Sequence, residues 1–330
     1  QAWSDRSPGD HCGRGIRLSM ADCLIITRIA DEFLEEIRKL ADYDIDAVAC
    51  TTSEEALDVY DGERVLFGNP DQIAEVLPSM PDIAWVQSSW AGVTPLIEHP
   101  GRVYLLSGFK GVFGPQMSEY VFGYLLAHEL RILRRQHEQK KRHWFRQHSG
   151  VLDGKTIGVM GTGSIGVHIA RTAKAFNLTA VGLSRSGAPV DGFDEVFSAG
   201  ELDLFLKRSN YLVSTLPDTP DTNNLLNDKT LASLPDHACF VNVGRSNVVD
   251  DEALMKALRT GKLASAALDV FDTEPLPEDS PLWSTPNLSV TAHIAAISHP
   301  LLIVPIFVDN YARFIKDQPL NYVVDFDAGY

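Results

Sequence analysis

Arg245, Glu274 and His293 follow one another at intervals of 29 and 19 residues, each just past a stretch that reads as a strand end. Their types suit proton transfer beside a bound anion. Histidine is the side chain of this set whose reference pKa, ~6.5, lies near working pH. A glutamate opposite it favours the imidazolium and fixes the ring. A planar guanidinium can grip a carboxylate and an adjacent carbonyl oxygen together, so that it binds and polarises at once. These groups need a scaffold to position them, and its clearest element lies upstream of all three.

That element runs from Gly154 to Ser186. Ile157 to Met160 is a short apolar run, Gly161-Thr162-Gly163-Ser164-Ile165-Gly166 interrupts it, and Val167 to Phe176 carries apolar residues at helical spacing. A second strand follows, making a βαβ unit. In this pattern the first glycine permits a tight turn and the second lets the backbone approach a pyrophosphate. The third brings the helix close to the strand. The helix then opens at Ser164 and Ile165, whose N–H groups face the anion. The second strand ends in Ser184-Arg185-Ser186, with no acidic residue to hold a ribose 2′-hydroxyl. Two hydroxyls and a guanidinium there suit a 2′-phosphate. A charge-assisted contact contributes roughly 1.5–3 kcal/mol, which is about one to two decades of preference for NADP(H), with NAD(H) still possible.

The remaining sequence bounds the class. The 330 residues favour two domains of ordinary size, and 45% hydrophobic with 22% charged residues is a globular composition. A net charge of −15 argues against nucleic acid or an anionic membrane as partner, so a small anionic ligand needs a local cation. No apolar run is long enough to span a bilayer. Cys12, Cys23, Cys50 and Cys239 form no CxxC pair and no metal-type spacing, which fits free thiols in a reducing cytoplasm and predicts no metal site. Residues 1–19 are polar and aperiodic, and Met20 before an apolar strand reads as a natural start. They are expected to be a leader or an added extension.

From Cys23 to Gln87 short apolar strands alternate with helical segments, which implies a first parallel α/β sheet. Two of its loops, Leu66-Phe67-Gly68-Asn69-Pro70 and Ser88-Ser89-Trp90-Ala91-Gly92-Val93, follow strand ends and hold small residues. They could present backbone N–H groups to a carboxylate or serve as tight turns. Pro115 breaks the chain, and Gln116 to His143 reads as one long helix, apolar early and basic late. After the glycine unit the alternation resumes through strands at Tyr211–Thr215, Cys239–Val243, Ala264–Asp269 and Leu288–Thr291. A helix from Pro300 to Lys316 and the tail Leu320–Asp325 then return to the first domain, making it discontinuous.

With the motifs in hand, the chain resembles the D-isomer-specific 2-hydroxyacid dehydrogenase family over essentially all of residues 21–330. The marks are the glycine turn, the loop Leu216-Pro217-Asp218-Thr219-Pro220-Asp221-Thr222, VNVGRS around Arg245, ALDVFDTEPL around Asp269 and Glu274, and TAHIAA around His293. The loop at Trp90, Ser184-Arg185-Ser186 and the closing Gly329-Tyr330 are similar to its NADPH-dependent glyoxylate/hydroxypyruvate reductase branch. The resemblance implies an α/β chain of two doubly wound parallel sheets, a Rossmann-type nucleotide domain (121–295) inserted in a flavodoxin-like substrate domain (20–120 and 296–330). It implies reduction of small 2-keto acids such as glyoxylate and hydroxypyruvate, with His293 as proton donor, Glu274 its partner and Arg245 the carboxylate grip. Leu216 and Val243 would line the cofactor groove, and Asp269 would receive the nicotinamide carboxamide. The backbone at Trp90, Ala91 and Gly92 would hold the substrate carboxylate from the opposite domain, and closure of the cleft would exclude water. A homodimer is expected, with Trp144 capping a neighbour's pocket or serving as a plain dimer-contact or core residue. Ala292, Ala296 and Thr94 depart from the family's usual Pro, Gly and acid. Two alternatives remain: a D-2-hydroxyacid dehydrogenase for larger keto acids such as phenylpyruvate, and a dinucleotide-sensing corepressor-like binding protein.

Overall fold

The computed structural model describes residues 23–41, 45–98, 101 and 103–326. The expected leader, Met20 and the closing Gly329-Tyr330 lie outside these. The chain divides into two compact units: the described residues up to Phe109 together with those from Ser298, and Lys110–Ile297.

The first unit is built on strands β1 (Cys23–Ile26), β2 (Ala47–Cys50), β3 (Val65–Gly68), β4 (Trp85–Ser88) and β5 (Leu105–Ser107). They form one parallel sheet in the order β2-β1-β3-β4-β5, the flavodoxin-like order. Helices α1 (Ala30–Leu40), α2 (Ser53–Val59), α3 (Pro70–Val76) and α4 (Thr94–Ile97) lie between them in sequence. Wholly buried β1 and β3 are near-continuous apolar runs, as a sheet covered on both faces requires, and the equally buried β4 ends in the polar pair Gln87 and Ser88. Local chemistry sets the helix starts. Thr52 and Glu55 make a reciprocal capping box at α2, and Pro70 opens α3, where its missing N–H costs nothing. At the end of β3 only glycine fits, because a β-carbon on Gly68 would stand 1.9 Å from the Ile26 carbonyl oxygen.

The second unit begins with α5 (Gly114–Glu129) and α6 (Ile132–Lys140). Here the expectation of one helix over Gln116–His143 fails. The Glu129 carbonyl accepts from the Gly150 N–H at 2.9 Å, and the Leu130 carbonyl accepts from Arg135 Nε at 2.8 Å. Both acceptors are thereby diverted from the helical ladder, and Arg131 turns left-handed with φ 53°. Pro115, read as a break, sits instead in the first turn of α5. The nucleotide-type core follows: β6 (Thr156–Met160), α7 (Ser164–Ala175), β7 (Thr179–Ser184), β8 (Glu195–Ser198), α8 (Leu202–Arg208), β9 (Tyr211–Ser214), α9 (Asp228–Ala232), β10 (Ala238–Asn242), α10 (Asp251–Thr260), β11 (Leu263–Leu268) and β12 (Leu288–Val290). All pairs are parallel, in the order β12-β11-β10-β9-β6-β7-β8. The order reverses between β6 and β9. In open α/β sheets the crevice outside the carboxyl ends at such a point receives the ligand. One buried cluster, with Phe205, Phe240 and Leu254, fills one face, and another, with Val121, Ile169 and Val241, fills the other.

The chain then returns to the first unit as α11 (Pro300–Phe314), whose Phe307 stacks on Phe67 with ring centroids 4.3 Å apart. The junctions fall at 109/110 and 297/298, so that α5 belongs whole to the second unit. Among the described residues no helix is long and apolar enough to cross a membrane.

Candidate active site

At the end of β6 each glycine of the turn has its own steric reason. Gly161 has φ 101°, and a β-carbon there would lie 2.6 Å from Thr215 Oγ1. One on Gly166 would lie 2.0 Å from the Gly161 carbonyl oxygen, so helix α7 crosses the strand too closely for any side chain. A β-carbon on Gly163 would meet nothing within 4 Å. This glycine thus borders open space in front of α7, whose N-terminus has no side-chain cap. The free N–H groups of its first turn, Ser164 and Ile165 among them, are the donors an anion needs. The residues present therefore fit a dinucleotide pyrophosphate.

One strand away, β7 ends in a turn tied by its own serines. Ser184 Oγ accepts from the Gly187 N–H at 3.1 Å and Ser186 Oγ from the Ala188 N–H at 3.2 Å. Both hydroxyl hydrogens remain to donate, and the Arg185 side chain between them is exposed. Leu216 is half-buried after β9 and Val243 is buried after β10. The two loops touch, since a β-carbon on Gly244 would stand 2.6 Å from the Leu216 carbonyl oxygen.

Arg245 follows directly. Asn242, fully buried at the end of β10, holds the turn on both sides of it. Its Nδ2 donates to the Arg245 carbonyl at 2.9 Å and its Oδ1 accepts from the Gly244 N–H at 3.1 Å. The Arg245 guanidinium donates to the Gly244 carbonyl at 2.8 Å, and among the described residues no carboxylate lies within ion-pair distance of it. Burial pushes its pKa down, while Glu274 and Asp218 pull the other way. A desolvated cation without an ion-pair partner is a site for an anion.

His293 Nδ1 stands 2.8 Å from Glu274 Oε2, and the other oxygen of Glu274 accepts from the Phe271 N–H at 2.9 Å. The carboxylate is thus held from behind while it orients the ring, which leaves Nε2 directed outward. The histidine itself is exposed and left-handed, with φ 55°. Asp269 anchors this turn. Its carbonyl accepts from the His293 N–H at 2.9 Å. Its carboxylate, on a residue only 1% exposed, accepts from Thr291 Oγ1 (2.6 Å), the Ile294 N–H (2.9 Å) and the Ala295 N–H (2.8 Å). These three bonds tie Asp269 to the histidine turn.

Trp90, Ala91 and Gly92 belong to the first unit. The Trp90 N–H already donates to Ser88 Oγ at 3.1 Å, so the amides of Ala91 and Gly92 are the ones left open among the described residues. Trp144, in the second unit, is 81% exposed. Asn242 was missed by sequence reasoning, although an Asx residue at a strand end before glycine is a recognisable turn signal.

Sheets of this order, with their polar groups gathered beyond the strand ends, mark the class of dinucleotide-binding α/β enzymes. Comparison with known proteins narrows this. The family model described as D-isomer specific 2-hydroxyacid dehydrogenase, NAD binding domain, matches residues 122–295. The chain is 32% identical over 264 residues to glyoxylate/hydroxypyruvate reductase A of Serratia proteamaculans, covering 78% of this chain and 84% of that one. It resembles the crystal structure of a D-isomer specific 2-hydroxyacid dehydrogenase family protein from Aeromonas salmonicida, with a TM-score of 0.90 and 37% identity over 94% of this chain and 100% of that one. It also resembles the NADPH-dependent glyoxylate/hydroxypyruvate reductase of Sinorhizobium meliloti, solved with NADP and sulfate, with a TM-score of 0.82 and 30% identity over 94% and 100% of the two chains. The protein belongs to the D-isomer specific 2-hydroxyacid dehydrogenase family and is an NAD(P)-dependent oxidoreductase.

Proposed function

We propose that this protein uses NADPH to reduce small 2-keto acids, glyoxylate and hydroxypyruvate first among them, to D-2-hydroxy acids. The observation that carries the reading is the His293–Glu274 pair, 2.8 Å apart, in the same unit as a half-buried arginine, Arg245, with no ion-pair partner among the described residues. The glycine turn and the first turn of α7 would hold NADPH, which would supply the hydride. Arg245 binds the substrate carboxylate and polarises the keto group. His293 gives the proton on Nε2 to the oxygen that gains charge, while Glu274 holds Nδ1 and fixes the ring. Ser184, Arg185 and Ser186 receive the 2′-phosphate, which places NADP(H) ahead of NAD(H).

The relatives from Serratia proteamaculans and Sinorhizobium meliloti, named for glyoxylate and hydroxypyruvate, support this substrate class. The test is His293→Ala. Removing a general acid should lower kcat roughly 10²–10⁴-fold, with NADPH still bound as tightly, as fluorescence titration would read. Turnover at the wild-type rate would remove His293 from the role.

A further inference from the structure

The segment that carries His293 has no regular secondary structure between β12 and α11, and packing does little to shape it. Ala295 is buried, but Ile294 and Ile297 are 57% and 55% exposed. Hydrogen bonds must therefore set its path, and two of their sources lie on one helix. Gln116 and Tyr120 stand one turn apart on α5 and so share a side of it. Gln116 grips the far end of the segment twice, its Oε1 accepting from the Ile297 N–H at 3.0 Å and its Nε2 donating to the Ile297 carbonyl at 3.2 Å. Tyr120 reaches the near end, its hydroxyl 2.6 Å from Thr291 Oγ1.

Donor counting gives that contact a direction. Thr291 has one hydroxyl hydrogen, and the acceptor-only carboxylate of Asp269 takes it at 2.6 Å. Thr291 Oγ1 must then accept from Tyr120, which is the donor. Burial raises the Tyr120 phenol well above its ordinary pKa and keeps that proton in place. The series runs Tyr120 to Thr291 to Asp269, and Asp269 in turn receives the N–H groups of Ile294 and Ala295, on the carboxyl side of His293.

We infer that Tyr120, Thr291 and Gln116 are positioning residues, which clamp the His293 segment at both ends and so set where the ring stands against Glu274. The inference rests on the reading of His293 as proton donor. Displacing a reacting group by about an ångström can cost up to ~10²-fold in rate.

The experiment measures kcat and KM for NADPH with glyoxylate in Thr291→Val, Thr291→Ser, Tyr120→Phe and Gln116→Ala, alongside His293→Ala. With kcat counted per NADPH-binding site, titrated by fluorescence so that loss of folded enzyme does not lower it, Thr291→Val and Tyr120→Phe should each lower kcat about tenfold or more while KM for NADPH stays within about twofold. Thr291→Ser, which keeps the hydroxyl, should restore kcat to within about threefold, and Gln116→Ala, on a partly exposed side chain, should show a smaller loss of the same kind. Wild-type kcat in both Thr291→Val and Tyr120→Phe, or failure of Thr291→Ser to restore it, would overturn the clamp. If those variants turn over normally while His293→Ala does not, the clamp alone fails. Normal turnover in His293→Ala would sink the acid reading itself.

Discussion

His293 holds a left-handed backbone at φ 55°, a conformation that costs a residue with a β-carbon roughly 1–2 kcal/mol. Asp269 offsets it with the three bonds its side chain and carbonyl make to residues 293–295, each worth about 0.5–1.5 kcal/mol or more where the carboxylate accepts. Strain of this kind at an exposed titratable residue persists only where neighbours over-determine it. Arg185 is the other residue with a separable role. Arg185→Ala should raise KM for NADPH by roughly one to two decades and leave NADH nearly unaffected. Equal loss for both cofactors in steady-state assays would mean that it does not read the 2′-phosphate. Arg245, Glu274 and His293 were legible because their types are unusual just past strand ends. Tyr120 and Gln116 were not. Tyr120 meets its partner 171 residues away and Gln116 meets its own 181 away, and no local pattern marks a tyrosine or glutamine on a helix as a clamp.

Among the elements, the glycine turn separates two effects that a single substitution usually mixes. A β-carbon on Gly166 strikes the Gly161 carbonyl oxygen, so Gly166→Ala must push α7 off β6. Overpacking of that kind costs about 1–3 kcal/mol and should lower Tm by several degrees. A β-carbon on Gly163 enters open space, so Gly163→Ala should leave Tm within about 2 °C while weakening NADPH binding about tenfold or more, because it fills the room a pyrophosphate needs. Calorimetry and cofactor titration on the two variants check the pair. Loss of stability without loss of affinity in Gly163→Ala would mean that the turn does not face the cofactor. The same glycines explain why this βαβ unit was readable from sequence. The break between α5 and α6 was not, since it depends on Gly150 and Arg135 capturing carbonyl groups from outside the helical ladder. Strands β5 and β8 also escaped, being three and four residues long and lacking a sustained apolar run.

For the whole molecule, strand–helix alternation sufficed to expect two parallel sheets. Their internal order depends on which strands pair, and only the structure supplies it: β2-β1-β3-β4-β5 in one unit and the β6/β9 reversal in the other. The return of α11 to the first sheet was legible because that domain otherwise lacked a closing element, and Phe307 stacked on Phe67 carries it out. A chain of net charge −15 that takes an anionic substrate must concentrate its positive charge locally, which is the part given to Arg245. These features converge on one activity. Its most direct test is steady-state oxidation of NADPH and of NADH against glyoxylate, hydroxypyruvate, pyruvate, phenylpyruvate and 2-ketoisocaproate. Rapid turnover of glyoxylate and hydroxypyruvate, with NADPH favoured by roughly tenfold or more, is the predicted result. Preference for the bulky acids would contradict the substrate assignment, preference for NADH the reading of Ser184-Arg185-Ser186, and no turnover of any keto acid the account as a whole.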